Sequence, residues 1–267
     1  MAERFNWPDG RRVAVSLTFD DGLQSQLNIA IPILDKFGFK ATFYINPRGD
    51  DYRSLLKPWK DVADRGHEIG NHTLTHPCSC NFQFARTAVK CLEKMTLEDI
   101  RADIMEAHRR IREVIPNGSK TFAYPCYETT VGRGLSKRSY IPVVAEVFLA
   151  ARGWGELGYP NSPLTCDLHE LWSWPAHRMS FEEMIGLTVR ASYEGGWAIY
   201  TFHGVNEGHL PVSDYDLTGF LKFLKDNNDK IWVAPVCEVA EYIVEVRSKL
   251  GYVFKTSPTF SSQRFST

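Results

Sequence analysis

The chain contains 267 residues, 43% of them hydrophobic, which is enough to bury one large core. Its 31 basic and 32 acidic residues leave a formal charge of -1, so the composition provides no basic field for a nucleic-acid partner. No apolar run approaches the ~18 residues that a membrane span needs, and residues 1–7 lack the apolar core of a signal peptide. We therefore expect one soluble domain over 1–267, cytoplasmic or secreted with its signal absent from this sequence, and the oligomeric state stays open.

The first candidate site is the stretch Thr18-Phe19-Asp20-Asp21-Gly22, which closes an apolar run that begins at Val13. Two adjacent carboxylates at the end of a buried strand repel each other and resist dehydration unless a cation or a proton relieves them. Gly22 allows the backbone to turn at once, so that the two carboxylates can serve different roles. An Asp-Gly turn with both carboxylates in water explains the motif equally well when it is taken alone.

Helix and strand patterns alternate after this motif. Apolar residues at helical spacing over 23–37 predict a helix that Pro32 kinks or restarts, and a strand follows at 41–45. Pro58 can open a short helix, which leads into a third strand at 67–70. The order of strand, helix and strand predicts parallel crossovers.

Two histidines at ligand spacing, His72 and His76, follow the third strand. Two imidazoles placed in this way can share one cation, and an aspartate from elsewhere completes a set of two His and one Asp with positions left for water and substrate. A lone buried histidine is more often a satisfied core residue, but a pair behind an acidic strand end favours a metal site. Ligands of parallel α/β folds gather at the carboxyl edge of the strands, where both motifs are expected.

In these two blocks the chain resembles the polysaccharide deacetylase family, the NodB-homology group of carbohydrate esterases. Residues 18–22 match the family's TFDDG motif, and residues 72–76 match its H-(S/T)-x-x-H motif. Weaker matching blocks lie at 122–127 and 199–205, and the resemblance extends over about 12–242. It implies a distorted (β/α)7 barrel that hydrolyses acetyl groups on sugars with the help of a metal.

The middle of the chain carries one insertion and one regular helix. Residues 78–95 are polar without a clear period and are expected to form an insertion loop near the site. Thr96-Leu97-Glu98-Asp99 has the pattern of a capping box and starts a helix that Pro116 and the residues after it end. His108 lies near the apolar stripe of this helix, and we interpret it as structural.

The third family block departs from the family pattern. A strand at 121–124 leads into Pro125-Cys126-Tyr127, where the family usually has Arg-x-Pro-Tyr or a similar turn, and Ala123 takes the place of the arginine. A helix at 143–148 and a strand at 150–154 follow, and this strand carries Arg152.

The segment 155–180 is rich in proline, glycine and aromatic residues, and we expect a second long loop there. Its aromatic side chains suit sugar stacking and ordinary packing equally well. A capping box at 180–183 starts a helix, and the strand at 197–202 ends at His203. A helix from 213, a strand at 231–233 and a last helix complete about seven parallel strands, while the tail after residue 251 is expected to lie on the surface.

Six cysteines are scattered without the paired Cys-x-x-Cys spacing of a zinc ribbon. Cys78, Cys80 and Cys91 could hold a second metal, but no fourth ligand stands at a suitable spacing. Reduced thiols or an incidental bridge are favoured, and no chemistry is assigned to them.

The resemblance implies one divalent metal on Asp21, His72 and His76, most plausibly zinc, with cobalt or nickel also compatible. It implies further that Asp20 is the general base and His203 the general acid.

Four more residues are assigned to the oxyanion and the substrate. The backbone N–H of Cys126 stands at the position of the family's oxyanion donor, and Tyr124 and Trp174 are assigned to the substrate. Arg152 is expected to reach Asp20 in place of the missing arginine, although a surface arginine is an equally good interpretation.

The substrate is expected to be an N-acetylated or, less readily, an O-acetylated carbohydrate. Some relatives of the same fold open small ureides and share a similar Phe-Ala-Tyr-Pro turn, which makes an amidohydrolase the second hypothesis. A carbohydrate-binding protein that has lost catalysis is the third, because the third block is altered.

Overall fold

Eight parallel strands form the centre of the computed structural model, which describes residues 5–86 and 91–252. The strands are β1 Val13–Asp20, β2 Thr42–Ile45, β3 Glu68–Asn71, β4 Thr121–Ala123, β5 Ala150–Trp154, β6 Leu171–Pro175, β7 Trp197–Phe202 and β8 Ile231–Val233. Every residue of β1 is buried, as expected for a parallel strand that is covered on both faces.

The sheet closes on itself through β1. Strands β1 to β7 pair in chain order, and β7 pairs back with β1 from Ala14↔Trp197 to Phe19↔Phe202. Strand β8 pairs with the first residues of β1, and β2 pairs with its last residues, Thr18 to Asp20. The predicted (β/α)7 barrel is thereby confirmed, and all seven strands of the ring direct their carboxyl ends to one mouth.

Helices surround this barrel. They are α1 Ile31–Phe37, α2 Tyr52–Asp64, α3 Leu97–Val114, α4 Ile141–Ala145, α5 Phe181–Glu194, α6 Asp214–Asp226 and α7 Val236–Lys249. Shorter elements are the π turn Gln26–Ala30, the single turn Gln83–Arg86, the 3-10 turns Pro8–Gly10, Leu92–Lys94, Pro125–Tyr127 and Gly134–Ser136, and the antiparallel pair Thr130–Val131 with Arg138–Ser139.

Two helices begin at the predicted capping boxes. The Thr96 side chain accepts from the Asp99 N–H, and the Asp99 carboxylate accepts from the Thr96 N–H at 3.0 Å. Ser180 and Glu183 make the same exchange at the start of α5. Caps of this kind stabilise a helix by about 0.5–2 kcal/mol, which is why four residues suffice to mark its beginning.

Helix α2 begins at Tyr52, well before the predicted start at Pro58, which lies inside the helix. A proline there removes one backbone hydrogen bond. Against this cost, Tyr52, Leu56, Trp59 and Val62 bury one helical face against the barrel. Packing of this face therefore outweighs the preference of proline for the first turn of a helix, on which the predicted start at Pro58 was based.

The predicted loop 155–180 is interrupted by strand β6, so this prediction was wrong over 171–175. Strand β6 lies between β5 and β7 in the ring, and β8, which was counted among the seven, is the extra strand.

The other predicted insertion, 78–95, contains a helical turn at 83–86 and a 3-10 turn at 92–94. Residues 87–90 and the tail beyond residue 252 lie outside the described residues. None of the described helices is both long and apolar enough to cross a membrane.

His67 is a buried histidine at the entry to β3, at the opposite end of that strand from His72. Its Nδ1 accepts the Ala41 N–H at 3.2 Å, and its Nε2 faces Asp35 Oδ1 at 3.4 Å. Burial, assisted by the charge of Lys40, lowers the pKa of His67 to about 4, although Asp35 opposes the change. The folded chain therefore holds this imidazole neutral.

We expect the free energy of unfolding to decrease as the pH falls from 6.5 to 4, because the unfolded chain protonates His67 in that window and the folded chain does not. The contribution is complete above the unfolded pKa and amounts to about 3 kcal/mol. Urea unfolding at several pH values should show a shallower pH dependence in His67→Asn, whose side-chain oxygen can still accept from Ala41. Parallel profiles for the two proteins would contradict this assignment.

Candidate active site

Three metal-binding side chains meet at the carboxyl ends of β1 and β3. Asp21 Oδ1 lies 3.7 Å from His72 Nε2 and 3.4 Å from His76 Nε2. The two imidazole rings are 4.8 Å apart between centroids and 73° apart in plane. One donor atom from each of the three residues lies within 4.8 Å of the other two. A single cation could therefore contact all three donors.

The backbone after β1 separates the two adjacent aspartates. Asp21 has φ 73 and Gly22 has φ 64, so two consecutive residues adopt the left-handed region. Asp20, the last residue of β1, is buried inside the barrel mouth, whereas Asp21 is partly exposed and faces the histidines. This turn gives the two carboxylates different surroundings.

Both histidines are oriented by a hydrogen bond on Nδ1. His72 Nδ1 lies 2.8 Å from the Ala123 carbonyl, which can only accept, so Nδ1 carries the proton. His76 Nδ1 lies 3.5 Å from the Sγ of Cys78, which is part of a disulfide and has no hydrogen to donate. His72 Nε2 is therefore left as an acceptor that faces Asp21, which is the tautomer that a metal ligand requires, and His76 directs its Nε2 to the same carboxylate.

The histidines are also held neutral. Burial lowers the pKa of His72 to about 4, although the charge of Asp20 opposes this change. Burial, followed by the charge of Arg48, lowers the pKa of His76 to about 4 as well. Neutral imidazoles and a carboxylate form a donor set that suits zinc, cobalt or nickel. The residues present therefore fit a divalent cation.

The histidine loop, residues 72–76, is held by hydrogen bonds to polar residues that sequence reasoning missed. Asn46 Nδ2 donates to the carbonyls of His72 and Thr73, the second at 3.0 Å. Asp103 accepts from the Leu74 N–H at 2.7 Å. Asn46 follows directly after β2, as the histidine motif follows β3, so a polar residue behind a barrel strand was the signal that could have found it.

Asp20 is paired with Arg152. Arg152 Nη2 donates to Asp20 Oδ1, and the two side chains are 0% and 5% exposed. The guanidinium carbon lies 4.9 Å from the centre of the Tyr44 ring. Ala123 and Arg152 are register partners across β4 and β5, so the arginine stands directly beside the position where the family motif would have one.

The protonation of Asp20 follows from this pairing. Burial raises the pKa of Asp20, but the charge of Arg152, followed by His72 and His203, outweighs burial, and the net direction is downward. Asp20 is therefore a carboxylate at neutral pH. Its Oδ2 lies 3.9 Å from His72 Nε2, beside the three candidate metal ligands.

His203 follows β7 and is connected to Asp20 through Gln26. The Gln26 side chain is buried, and its Nε2 donates to the carbonyl of Asp20 and, at 3.0 Å, to that of His203. Among the described residues, His203 Nδ1 has no hydrogen-bond partner. Gln26 was not identified from the sequence, and its position in an amphipathic helical pattern gave no signal.

The turn Pro125–Tyr127 brings Cys126 to the site through a disulfide. Cys126 is bonded to Cys78, and a second bridge joins Cys80 to Cys91. For Cys78, Cys80 and Cys91 the favoured interpretation was reduced thiols or an incidental bridge rather than a second metal site, and the structure shows them bridged; the partner of Cys78 was not predicted. The two free thiols are Cys166 and Cys237. Bridged sulfurs are not thiolates, so the neighbouring cysteines are not metal ligands in this state.

The structure does not bring the side chains of Tyr124 and Trp174 into the site. Tyr124 is 1% exposed, and its hydroxyl donates to the His169 carbonyl at 2.8 Å. Trp174 is also 1% exposed, and its Nε1 donates to the Glu156 carbonyl at 3.1 Å. Trp174 lies on β6, and its ring packs edge-on against Tyr200. The ring that the sequence analysis placed in a loop is therefore part of the core.

Comparison with known proteins gives a family match over part of the sequence and a match of the fold. The sequence model of the family described as polysaccharide deacetylase matches residues 8–132, which include β1, β3 and the histidine loop. Over these residues, which are just under half of the chain, the sequence matches the polysaccharide deacetylase family. A solved structure from Mycobacterium smegmatis that is assigned to the polysaccharide deacetylases covers 98% of this chain and 98% of its own, with a TM-score of 0.63 at 17% identity. At that identity the likeness shows the fold.

Two curated relatives match different extents of this chain. A gellan lyase from a Bacillus species is 27% identical over 90% of this chain and 10% of its own length. A peptidoglycan-N-acetylglucosamine deacetylase from Bacillus cereus is 41% identical over 25% of this chain and 24% of its own length. The chain thus spans less than a quarter of either relative in these alignments.

Replacing Arg152 with Met should destabilise the fold by about 3–5 kcal/mol, because it leaves the buried Asp20 carboxylate without its cation. The double variant Asp20→Asn/Arg152→Met removes both charges and should recover part of this loss. Urea unfolding of the single and double variants measures the difference. Equal stability of Arg152→Met and the parent would show that the pair does not hold the carboxylate.

Proposed function

We propose that this chain is a metal-dependent hydrolase that removes acetyl groups from an N-acetylated carbohydrate. The supporting observation is the convergence of three donors, the two Nε2 atoms of His72 and His76 and the carboxylate of Asp21, beside the buried Asp20–Arg152 pair. The preference for an amide over an ester rests on the Bacillus cereus relative, which is named for N-acetylglucosamine.

Asp21, His72 and His76 would hold the cation. A divalent cation in this position supplies Lewis acidity, which activates water and polarises a carbonyl. The outward hydrogen bonds of the two histidines keep their Nε2 atoms aimed at the shared position without help from substrate.

Asp20 acts as the general base. Arg152 occupies Oδ1, so Oδ2 remains to accept the proton of the water that attacks the acetyl carbonyl. Arg152 also fixes the rotamer of Asp20, which keeps this carboxylate from turning toward the metal ligands.

His203 acts as the general acid and gives a proton to the departing amine. Its position after β7 places it across the barrel mouth from the histidine loop, and its charge influences both Asp20 and His76. The backbone N–H of Cys126 holds the oxyanion that develops on the acetyl group, which is worth about 10²-fold or more in turnover.

Purified protein should carry one divalent metal and release acetate from N-acetylated amino-sugar oligosaccharides. His76→Ala should lose stoichiometric metal and this activity together, because it removes one of three donors. His209→Ala, at an exposed position, is the matched control. O-acetylated polysaccharides are compared by the same acetate assay, and small ureides by the loss of the ureide itself. Full metal occupancy in His76→Ala would refute the ligand set, and faster turnover of an ureide would refute the substrate class.

Asp20→Asn should lower turnover by about 10²–10⁴-fold while metal binding is retained, because the amide keeps the shape of the side chain but cannot accept the proton. Metal titration and unfolding of the same variant separate lost chemistry from lost structure. Near-normal turnover in a metal-loaded Asp20→Asn protein would place the base elsewhere.

A further inference from the structure

The disulfide Cys78–Cys126 joins the two loops that carry the proposed chemistry. Cys78 follows the histidine loop, and Cys126 lies in the turn after β4 that offers the oxyanion N–H. The two Cα atoms are 5.8 Å apart, although 48 positions separate them in the sequence. Cys78 is buried and Cys126 is half-buried.

One sulfur of this bridge contacts a proposed metal ligand. Cys78 Sγ lies 3.5 Å from His76 Nδ1, and a bridged sulfur can only accept a hydrogen bond. His72 has the Ala123 carbonyl as the corresponding partner, so each of the two imidazoles is oriented from behind.

Both ends of the bridge adjoin strained backbone. His76 has φ 55, and the consecutive residues Cys126 and Tyr127 have φ 51 and φ 60. A non-glycine residue in this region costs about 1–3 kcal/mol and persists only where its surroundings impose it. A covalent link between the two turns is a restraint of that kind.

We propose that Cys78 and Cys126 are positioning residues whose disulfide fixes the direction of the His76 ring and the direction of the Cys126 N–H. This inference rests on the proposed function for the roles of His76 and that N–H. The bridge connects the loop of the proposed metal ligand His76 to the turn that carries the oxyanion donor, the Cys126 N–H. The positions of both groups therefore depend on the same covalent bond.

The second bridge supplies the matched control. Cys80 and Cys91 are only 11 positions apart and close a loop within the insertion, without a link to the turn after β4. The same insertion is held independently by Glu93, which accepts from the Ser79 hydroxyl and from the Cys80 N–H. Removing this bridge tests what the loss of any disulfide in this region does.

Freed thiols would complicate a test by reduction alone. One donor atom from each of His76, Cys78 and Cys126 lies within 4.8 Å of the other two, so two thiolates and an imidazole could compete for zinc. Substitution by alanine removes the bridge without creating these ligands.

The first experiment compares Cys78→Ala/Cys126→Ala with Cys80→Ala/Cys91→Ala. In the metal-free proteins, ¹⁵N spectra of the imidazoles should show one sharp set of His76 ring signals in the parent and the control, but several or broadened signals in the Cys78/Cys126 variant, because its ring is no longer held in one direction. This readout is independent of hydrolysis, so it separates the positioning role from the proposed function. One sharp and unshifted set of His76 signals in all three proteins would overturn the proposal.

The second experiment measures Co²⁺ binding and acetate release. The Cys78/Cys126 variant should bind Co²⁺ about 10–100-fold more weakly, as is usual when an outer partner of a ligand is lost. Its kcat should fall by about 10²-fold, with a smaller change in KM, because the oxyanion donor acts in the transition state. Values within about twofold of the control would overturn the proposal, whereas a parent that binds Co²⁺ but releases no acetate would refute the proposed function alone.

A variant that fails to fold is replaced by selective reduction. In the Cys80→Ala/Cys91→Ala protein, dithiothreitol can reduce only the remaining bridge: two electrons pass to the disulfide, Cys78 and Cys126 become thiols, and the reagent becomes its cyclic disulfide. The change in the His76 ring signals should appear on reduction and reverse on reoxidation. A His76 signal that is unchanged while a thiol assay shows two new thiols would overturn the proposal.

Discussion

The buried ion pair between Asp20 and Arg152 is the interaction on which the barrel mouth depends. Taking two charges out of water costs several kcal/mol for each ion, and the pair recovers this only through its direct contact. The pair connects β1 to β5 across the barrel, so both strands must be in register before either charge is satisfied. A core of this size could have been filled with apolar side chains, and the retention of the pair therefore points to a role other than stability.

The position of Arg152 follows from the register of the sheet. Ala123 and Arg152 are paired across β4 and β5, and side chains at paired positions of adjacent parallel strands point to the same side of the sheet. A long guanidinium on β5 therefore reaches the carboxylate that an arginine on β4 would reach. In the altered third block, the arginine is thus moved from β4 to the neighbouring strand β5 rather than lost. This weakens the argument that the chain has lost its catalytic residues.

Much of the fold and of the candidate site could be predicted from local patterns. Buried parallel strands such as β1 are continuous apolar runs, and polar motifs directly after them mark one edge of the sheet. Capping boxes at Thr96 and Ser180 fixed two helix starts because a cap depends on four adjacent residues. The approach of Asp20 to Arg152 was also within reach, since it needed only the order of two neighbouring strands.

What local patterns could not give depends on contacts between distant segments. Strand β6 lies within a segment rich in proline and glycine that reads as a loop, and only the closure of the ring requires a strand there. The start of α2 is set by the face that packs on the barrel rather than by Pro58. The bridge Cys78–Cys126 joins positions 48 apart, and no spacing rule distinguishes it from the other pairings of six cysteines.

Arg152 has opposing effects on the proposed chemistry of Asp20. Its charge helps to lower the pKa of Asp20, which makes the carboxylate a weaker base, and it also fixes one oxygen so that the other faces the metal ligands. A weak base in the right place can still be effective, because alignment of the reacting atoms contributes more to the barrier than a modest change in basicity. On this argument the residues of the barrel mouth act mainly by orienting the reacting side chains. Arg152 orients Asp20, the Ala123 carbonyl orients His72, and the Cys78 sulfur orients His76.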